Sequence, residues 1–122
     1  MKYRIAVAST DGKVVNRHFG KAEWFYIVEA DSEDRGHYEF TDLKKVQPFC
    51  EGGLHKEEQL SGVMNTLSDC DFVLVSRVGP RAAAEAEAKG VRVVELPGLI
   101  SESVEELMNY QEIRNLIEEL RS

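Results

Sequence analysis

Residues 3 to 8 alternate Tyr3, Ile5 and Val7 against Arg4, Ala6 and Ala8. That period of two predicts a strand whose second face is lined by small residues. Asp11-Gly12 follows. Aspartate and glycine tolerate the positive φ that a type I′ turn needs, so Lys13-Val14-Val15 is expected to return as the hairpin partner of the first strand. Trp24 to Ala30 is almost continuously apolar, as in a central strand covered on both faces. A charged turn over residues 31 to 36 leads into His37 to Val46, a strand with Tyr38, Phe40 and Leu43 expected to face the core. The first 46 residues therefore read as an antiparallel meander.

Beyond that point the period changes. Leu60, Val63, Met64 and Leu67 make a helical stripe at i, i+3, i+4, i+7. Phe72 to Val75 reads as a buried strand. Gly79-Pro80 opens an alanine-rich helix that Lys89-Gly90 closes, since proline suits the first helical turn and glycine the position past the end. Val91 to Glu95 is the next strand, and strand–helix–strand at this length implies a parallel crossover. A last helix is expected from about Ser101, with Glu102 and Glu105 well placed in its first turn. That helix carries a conflict. Val104, Leu107 and Met108 share one face, whereas Ile113, Leu116, Ile117 and Leu120 fall on roughly the opposite one. Either it breaks near Asn109-Tyr110 and folds back, or its second half meets a partner. The sum is one α/β domain over residues 1–122, a mixed sheet of five strands with helices on its faces.

Composition narrows the function classes. The 122 residues suffice to bury about 65% of the unfolded surface by size scaling. A formal charge of −7 disfavours nucleic acid as a partner. No apolar run approaches the ~20 residues of a membrane helix, and the opening strand is not a leader peptide, so a cytoplasmic protein is expected. Two cysteines, Cys50 and Cys70, make neither a disulfide scaffold nor a CxxC pair.

Chemistry concentrates in two short segments. Asn16-Arg17-His18-Phe19-Gly20-Lys21 displays an imidazole between cations, beside an aromatic anchor and a glycine that permits close approach. Phe49-Cys50-Glu51-Gly52-Gly53-Leu54-His55 offers a thiol and a second imidazole, which suit zinc, copper or an iron–sulfur centre. Cys70, ahead of an apolar strand, reads as core. Ser76-Arg77-Val78-Gly79-Pro80 ends an expected parallel strand and begins a helix, where free amides, Arg77 and Arg81 favour an anion. It is neither a Walker motif nor GxGxxG. A nucleophilic Cys50 would lack an orienting acid. A two-metal carboxylate site would have to draw on Asp11, Glu29 and Asp71.

Taken together, these residues resemble the dinitrogenase iron–molybdenum cofactor binding family, the NifX-like domains found also at the C-terminus of NifB. The likeness rests on Ser9-Thr10-Asp11-Gly12-Lys13-Val14-Val15, His18-Phe19-Gly20, Ala22, Trp24 to Val28, Leu74 to Pro80, Lys89-Gly90-Val91 and the Glu-rich final helix. The resemblance implies a ribonuclease H-like three-layer α/β/α fold without nuclease activity. It implies a non-enzymatic carrier that binds the iron–molybdenum cofactor or an iron–sulfur precursor cluster as cargo, between cofactor-assembly donor and acceptor proteins. His18 takes the family's histidine position and is the expected metal ligand, with Cys50 and His55 as candidate further ligands. Arg17, Lys21 and Arg77 would offset cluster charge. A metal-free interaction module, dimeric through the last helix, and a metal-dependent hydrolase are the rival readings.

Overall fold

Lys2–Ala8 forms the first strand, β1, of a computed structural model that describes residues 1–51, 54–55 and 57–121, the side chains of residues 35, 51, 54 and 55 excepted. In chain order follow β2 (Val14–Val15), a 3-10 turn over Phe19–Lys21, β3 (Trp24–Asp31) and β4 (Asp34–Lys45). Next come β5 (Cys50–Glu51), β6 (Leu54–His55), α1 (Glu57–Thr66) and β7 (Phe72–Val75). The chain continues through α2 (Pro80–Ala88), β8 (Arg92–Glu95), β9 (Gly98–Leu99) and α3 (Ile100–Arg121). The main sheet has five strands in the order β4-β3-β1-β7-β8. Its first half is antiparallel and its second half parallel, as the change of period at residue 46 predicts.

The pleat of β1 sorts the core. Ile5 and Val7 face one side with Val28, Ala30 and Leu74, against Ile100, Val104, Leu107 and Met108 of α3. Ala6 and Ala8 face the other with Phe25, Ile27, Val73 and Val75, against the predicted stripe Leu60, Val63, Met64 and Leu67 and the small face Ala82 and Ala86 of α2. The result is three layers, α1 and α2 over one face and α3 over the other. The alanines of β1 do a specific job here: a small strand face leaves room for the rings of Phe19, Phe25 and Phe49 in the same cluster.

Three expectations are corrected. First, β2 does not pair with β1. Both edges of β1 are already occupied, by β3 and by β7, so Val14 and Val15 pair instead with Leu99 and Gly98 of β9, antiparallel. Nor is the connection a type I′ turn. Gly12 has φ +75°, but no non-glycine residue among those described has positive φ. Asp11 shapes the turn through its side chain, Oδ1 accepting the amides of Lys13 at 2.9 Å and Val14 at 3.1 Å. Those two bonds hold the Asp11 carboxyl below its ordinary value, with the Ser9 hydroxyl and the Lys13 charge assisting. A depressed folded-state value means that the stability is fully present above the ordinary carboxylate range and is lost as pH falls through the lower folded value. Asp11→Ala is therefore expected to lower the thermal midpoint at neutral pH, with the gap to wild type closing in strong acid. A gap of constant size across a pH series of melts would remove Asp11 as the charged clasp of the turn.

Second, Phe40 and Leu43 do not reach the core; they are 52% and 45% exposed. A bulge leaves Thr41 unopposed, because Ile27 pairs with Asp42 and Val28 with Phe40. Phe40 is on the α3 face, its ring against Tyr26 and Tyr38, but at the margin of an edge strand that no helix fully covers. Third, α3 does not break. It runs unbroken from Ile100 to Arg121 because nothing in it is proline or glycine, and helix propagation is cooperative. Its second half turns polar positions to the sheet: Gln111 donates to Asn115, which donates to the Tyr3 hydroxyl at 3.1 Å. No described helix is long and apolar enough to cross a membrane.

Candidate functional site

The His18 loop is fastened to the end of β7 by its own backbone. Phe19 N–H donates to Arg77 O at 2.9 Å, Ser76 N–H donates to Arg17 O at 3.0 Å, and His18 stands in parallel bridge register with Arg77. The loop then closes on itself, Lys21 and Ala22 N–H both donating to His18 O at 3.1 Å. Alternate burial decides what it displays. Phe19 is 1% exposed, edge-on to Phe25 and to Phe49 at ring separations of 6.2 and 5.2 Å, while the neighbouring His18 is exposed. Among the described residues no hydrogen-bond partner occupies the His18 imidazole. Its ring nitrogens are thus free to meet a ligand.

Cys50 arrives from the other side. Phe49 N–H donates to Gly20 O at 3.0 Å, which draws β5 against the loop. The approach is close enough to explain Gly20: a Cβ there would stand 2.6 Å from Cys50 Cβ and 3.2 Å from the Phe49 ring. His18, Gly20, Lys21, Cys50 and Arg77 line one cavity of about 380 Å³, whose opposite wall is Gly79, Pro80, Arg81 and Ala82. That wall is the N-terminus of α2. Gly79 supplies no side-chain cap, and Pro80 has no amide hydrogen. The Arg81 and Ala82 amides have no partner inside the helix, so the dipole and these donors favour negative charge in the cavity.

The sequence-predicted cations differ in availability. Arg77 and Lys21 are exposed, and no ion pair ties either of them among the described residues. Arg17 is half-buried and donates to Lys21 O at 3.2 Å, so it braces the loop. Arg81 is bound to Glu57 of α1 and lies 3.7 Å from Glu85, so much of its charge is already balanced. Cys50 and His55 are opposed directly across the β5–β6 ladder rather than along an open loop, which brings their backbones together. The His55 side chain lies outside the described residues. The carboxylates of the hydrolase reading stay apart. Asp11 clasps its turn, Glu29 lies 3.5 Å from Arg4, and Asp71 accepts the Arg4 amide at 2.8 Å. Among the described residues no three His, Cys, Asp or Glu side chains converge on one point.

Phe49 completes the aromatic seat of the loop, and its place directly before Cys50 is the one signal of this in the sequence. Cys70 is core, as expected, and its thiol is pushed up to about 11 by burial and then by the Asp69 carboxylate beside it. Thiolate is the reactive form. Reaction of the native protein with a disulfide reagent at mildly alkaline pH is expected to modify one thiol per chain, identified as Cys50 by peptide mass. Cys70 should react only after denaturation, and equal labelling of both cysteines would contradict this arrangement.

A second cleft, of about 270 Å³, lies between β8 and α3 and offers Arg92, Glu106 and Tyr110 but no thiol or imidazole. His37 lines a smaller cleft with Lys2 and Glu39 and no thiol, so among the described residues a thiol and an imidazole share only the cavity beyond the carboxyl end of β7, where open α/β sheets place their ligands.

Fold and site together define a three-layer α/β domain with a thiol, an imidazole and a helix N-terminus facing one cleft. The chain belongs to the dinitrogenase iron-molybdenum cofactor family, which it matches over residues 1–110. It is similar to the FeMo cofactor biosynthesis protein NifB of Chlorobaculum tepidum, 32% identical over 113 residues that cover 93% of this chain and 26% of that protein. It is 35% identical over 106 residues to NifB of Frankia alni, covering 84% of this chain and 20% of that protein. The corresponding figures for Sinorhizobium fredii NifB are 32% over 95 residues, 78% and 19%. The chain thus spans 19 to 26% of the length of these relatives. Among solved structures, PH0822 shares the fold with TM-score 0.63 at 23% identity, covering 86% of this chain and 89% of that one. The Thermotoga protein TM1290 does so with TM-score 0.55 at 22% identity, covering 86% of each.

Proposed function

We propose that this domain is a non-enzymatic, cytoplasmic carrier that takes up an iron–molybdenum cofactor or an iron–sulfur precursor cluster during nitrogenase-type cofactor assembly and passes it from a donor to an acceptor protein. The observation that carries the reading is the shared cavity, in which His18 and Cys50 meet the uncapped N-terminus of α2 and Arg77. Family membership and the NifB relatives support the same cargo class.

The residues fit such a cargo better than they fit a bare metal ion. A structural zinc site closes four protein ligands around the ion. Here the described residues supply two soft donors, so most of the metal coordination must come from the cargo itself. A preassembled cluster brings its own inorganic sulfide and needs only one or two protein ligands. The cavity volume equals about a dozen waters at roughly 30 Å³ each, room for more than one ion. His18 would ligate a cluster iron or molybdenum, and Cys50 would offer a thiolate. Arg77, Lys21 and the α2 amides would offset the negative charge of the cluster, against a chain whose net charge of −7 otherwise repels it. Few protein ligands also suit release, because each added ligand would slow transfer to the acceptor.

The test is anaerobic titration of the apo-protein with isolated iron–molybdenum cofactor and, separately, with a thiolate-ligated [4Fe–4S] cluster, followed by absorption and EPR. Saturable uptake near one cluster per chain is the expected result. No uptake of either would leave the second reading, a metal-free interaction module, which draws on the apolar outer face of α3.

A further inference from the structure

We propose that the outer face of the second half of α3 is a self-association surface, on which a second copy of this chain docks with its α3 parallel to the first. The surface is apolar where a solvated helix should be polar. Tyr110, Ile113, Leu116, Ile117 and Leu120 are between 45% and 87% exposed. They form one stripe about 17 Å long at 1.5 Å per residue. Tyr110, Ile113, Ile117 and Leu120 repeat at intervals of three, four and three, the spacing of a coiled-coil seam, and Leu116 widens it on one side. The inner face of the same segment is held by Asn115, which donates to the Tyr3 hydroxyl and accepts from Gln111, so the apolar stripe cannot rotate inward without breaking those bonds.

The charges bordering the stripe choose the occupant. Glu112 and Glu119, seven residues apart, run along one border. Arg114 and Arg121, also seven apart, run along the other. When two copies pack in register about a two-fold axis along the helices, the acidic border of each meets the basic border of the other. Glu112 then stands two residues, about 3 Å of rise, from the level of Arg114 in the second copy. An antiparallel pair would set glutamates against glutamates and arginines against arginines. The surface is therefore complementary to itself in one orientation, which is what an isologous interface requires. The acidic and basic borders would form the rim around the apolar seam.

The experiment is sedimentation velocity from micromolar to sub-millimolar loading, with the variants Ile117→Glu/Leu120→Glu and Leu120→Cys, the latter in a Cys50→Ser background. Both altered side chains of the first variant are exposed, so its circular dichroism should match wild type. The wild-type mass should approach twice 13.8 kDa with loading, and the double variant should stay at half that value. Mild oxidation of Leu120→Cys should join two chains through residue 120 itself, an outcome open only to the parallel pair. A wild type that stays monomeric at every loading would overturn the proposal, and so would a dimer that survives Ile117→Glu/Leu120→Glu. Association without the 120–120 cross-link would overturn the parallel arrangement.

Discussion

Replacing His18 by alanine is expected to weaken uptake of isolated iron–molybdenum cofactor at least tenfold while leaving the fold intact. Losing even an outer-sphere partner of a metal ligand costs about 10–100-fold in affinity, and a direct ligand should cost no less. The fold should be indifferent. The His18 side chain is exposed and has no hydrogen-bond partner among the described residues, and surface changes of this kind fall within about 0.5 kcal/mol. Binding and stability are therefore separable at this position, which makes it the cleanest test of the site. Titration and thermal melting of the same preparation decide it. Unchanged uptake in a folded His18→Ala protein would remove the imidazole from the site, and the thiol of Cys50 would then have to account for any capture.

The second large effect belongs to the neighbouring residue and has the opposite character. Phe19→Ala should cost about 3–5 kcal/mol of stability, the usual range for deleting a buried ring. Against a total of about 5–15 kcal/mol for a domain, that removes a large share of the stability. The size follows from what the ring touches. Phe19 is packed between Phe25 and Phe49, so its removal opens a cavity that joins the loop, β3 and the approach to β5. Urea denaturation measures it, and a cost below about 1 kcal/mol would show that the aromatic seat is not a packed unit. Phe19→Leu refills much of the space and should remain folded. It provides the control in which weakened cluster uptake reports displacement of His18 rather than loss of the domain. The two residues divide the work: Phe19 converts burial into a rigid loop, and that loop fixes where the His18 imidazole stands.

Much of the architecture was legible in the pattern of apolar positions. The period-two run at residues 3 to 8, the helical stripe from Leu60 to Leu67 and the Pro80-to-Gly90 punctuation each became the expected element. Each is read from side-chain direction along a single stretch of backbone, which local sequence encodes. The alternation of His18 and Phe19 was legible for the same reason. So was the burial of Cys70, because its neighbours are apolar.

What failed was decided at a distance. Val14-Val15 carries strand character, but its partner depends on which strand edges remain free. The edges of β1 were taken by residues 25 to 31 and 72 to 74. Phe40 and Leu43 carry core character, but no helix spans the edge beyond β4. Cys50 and His18 are 32 positions apart, and no spacing rule places them in one cavity. The backbone bond from Phe49 to Gly20, and the absence of a side chain on Gly20, do so. By itself, then, the sequence determined the five strands of the main sheet, the three helices, the exposed imidazole and the opposed faces of α3, because these depend on local periodicity; the short strands β5, β6 and β9 did not show in it. Only the tertiary structure decided that the thiol, the cations and the uncapped start of α2 surround that imidazole, because strand edges and close backbone approaches are settled between segments far apart in the chain.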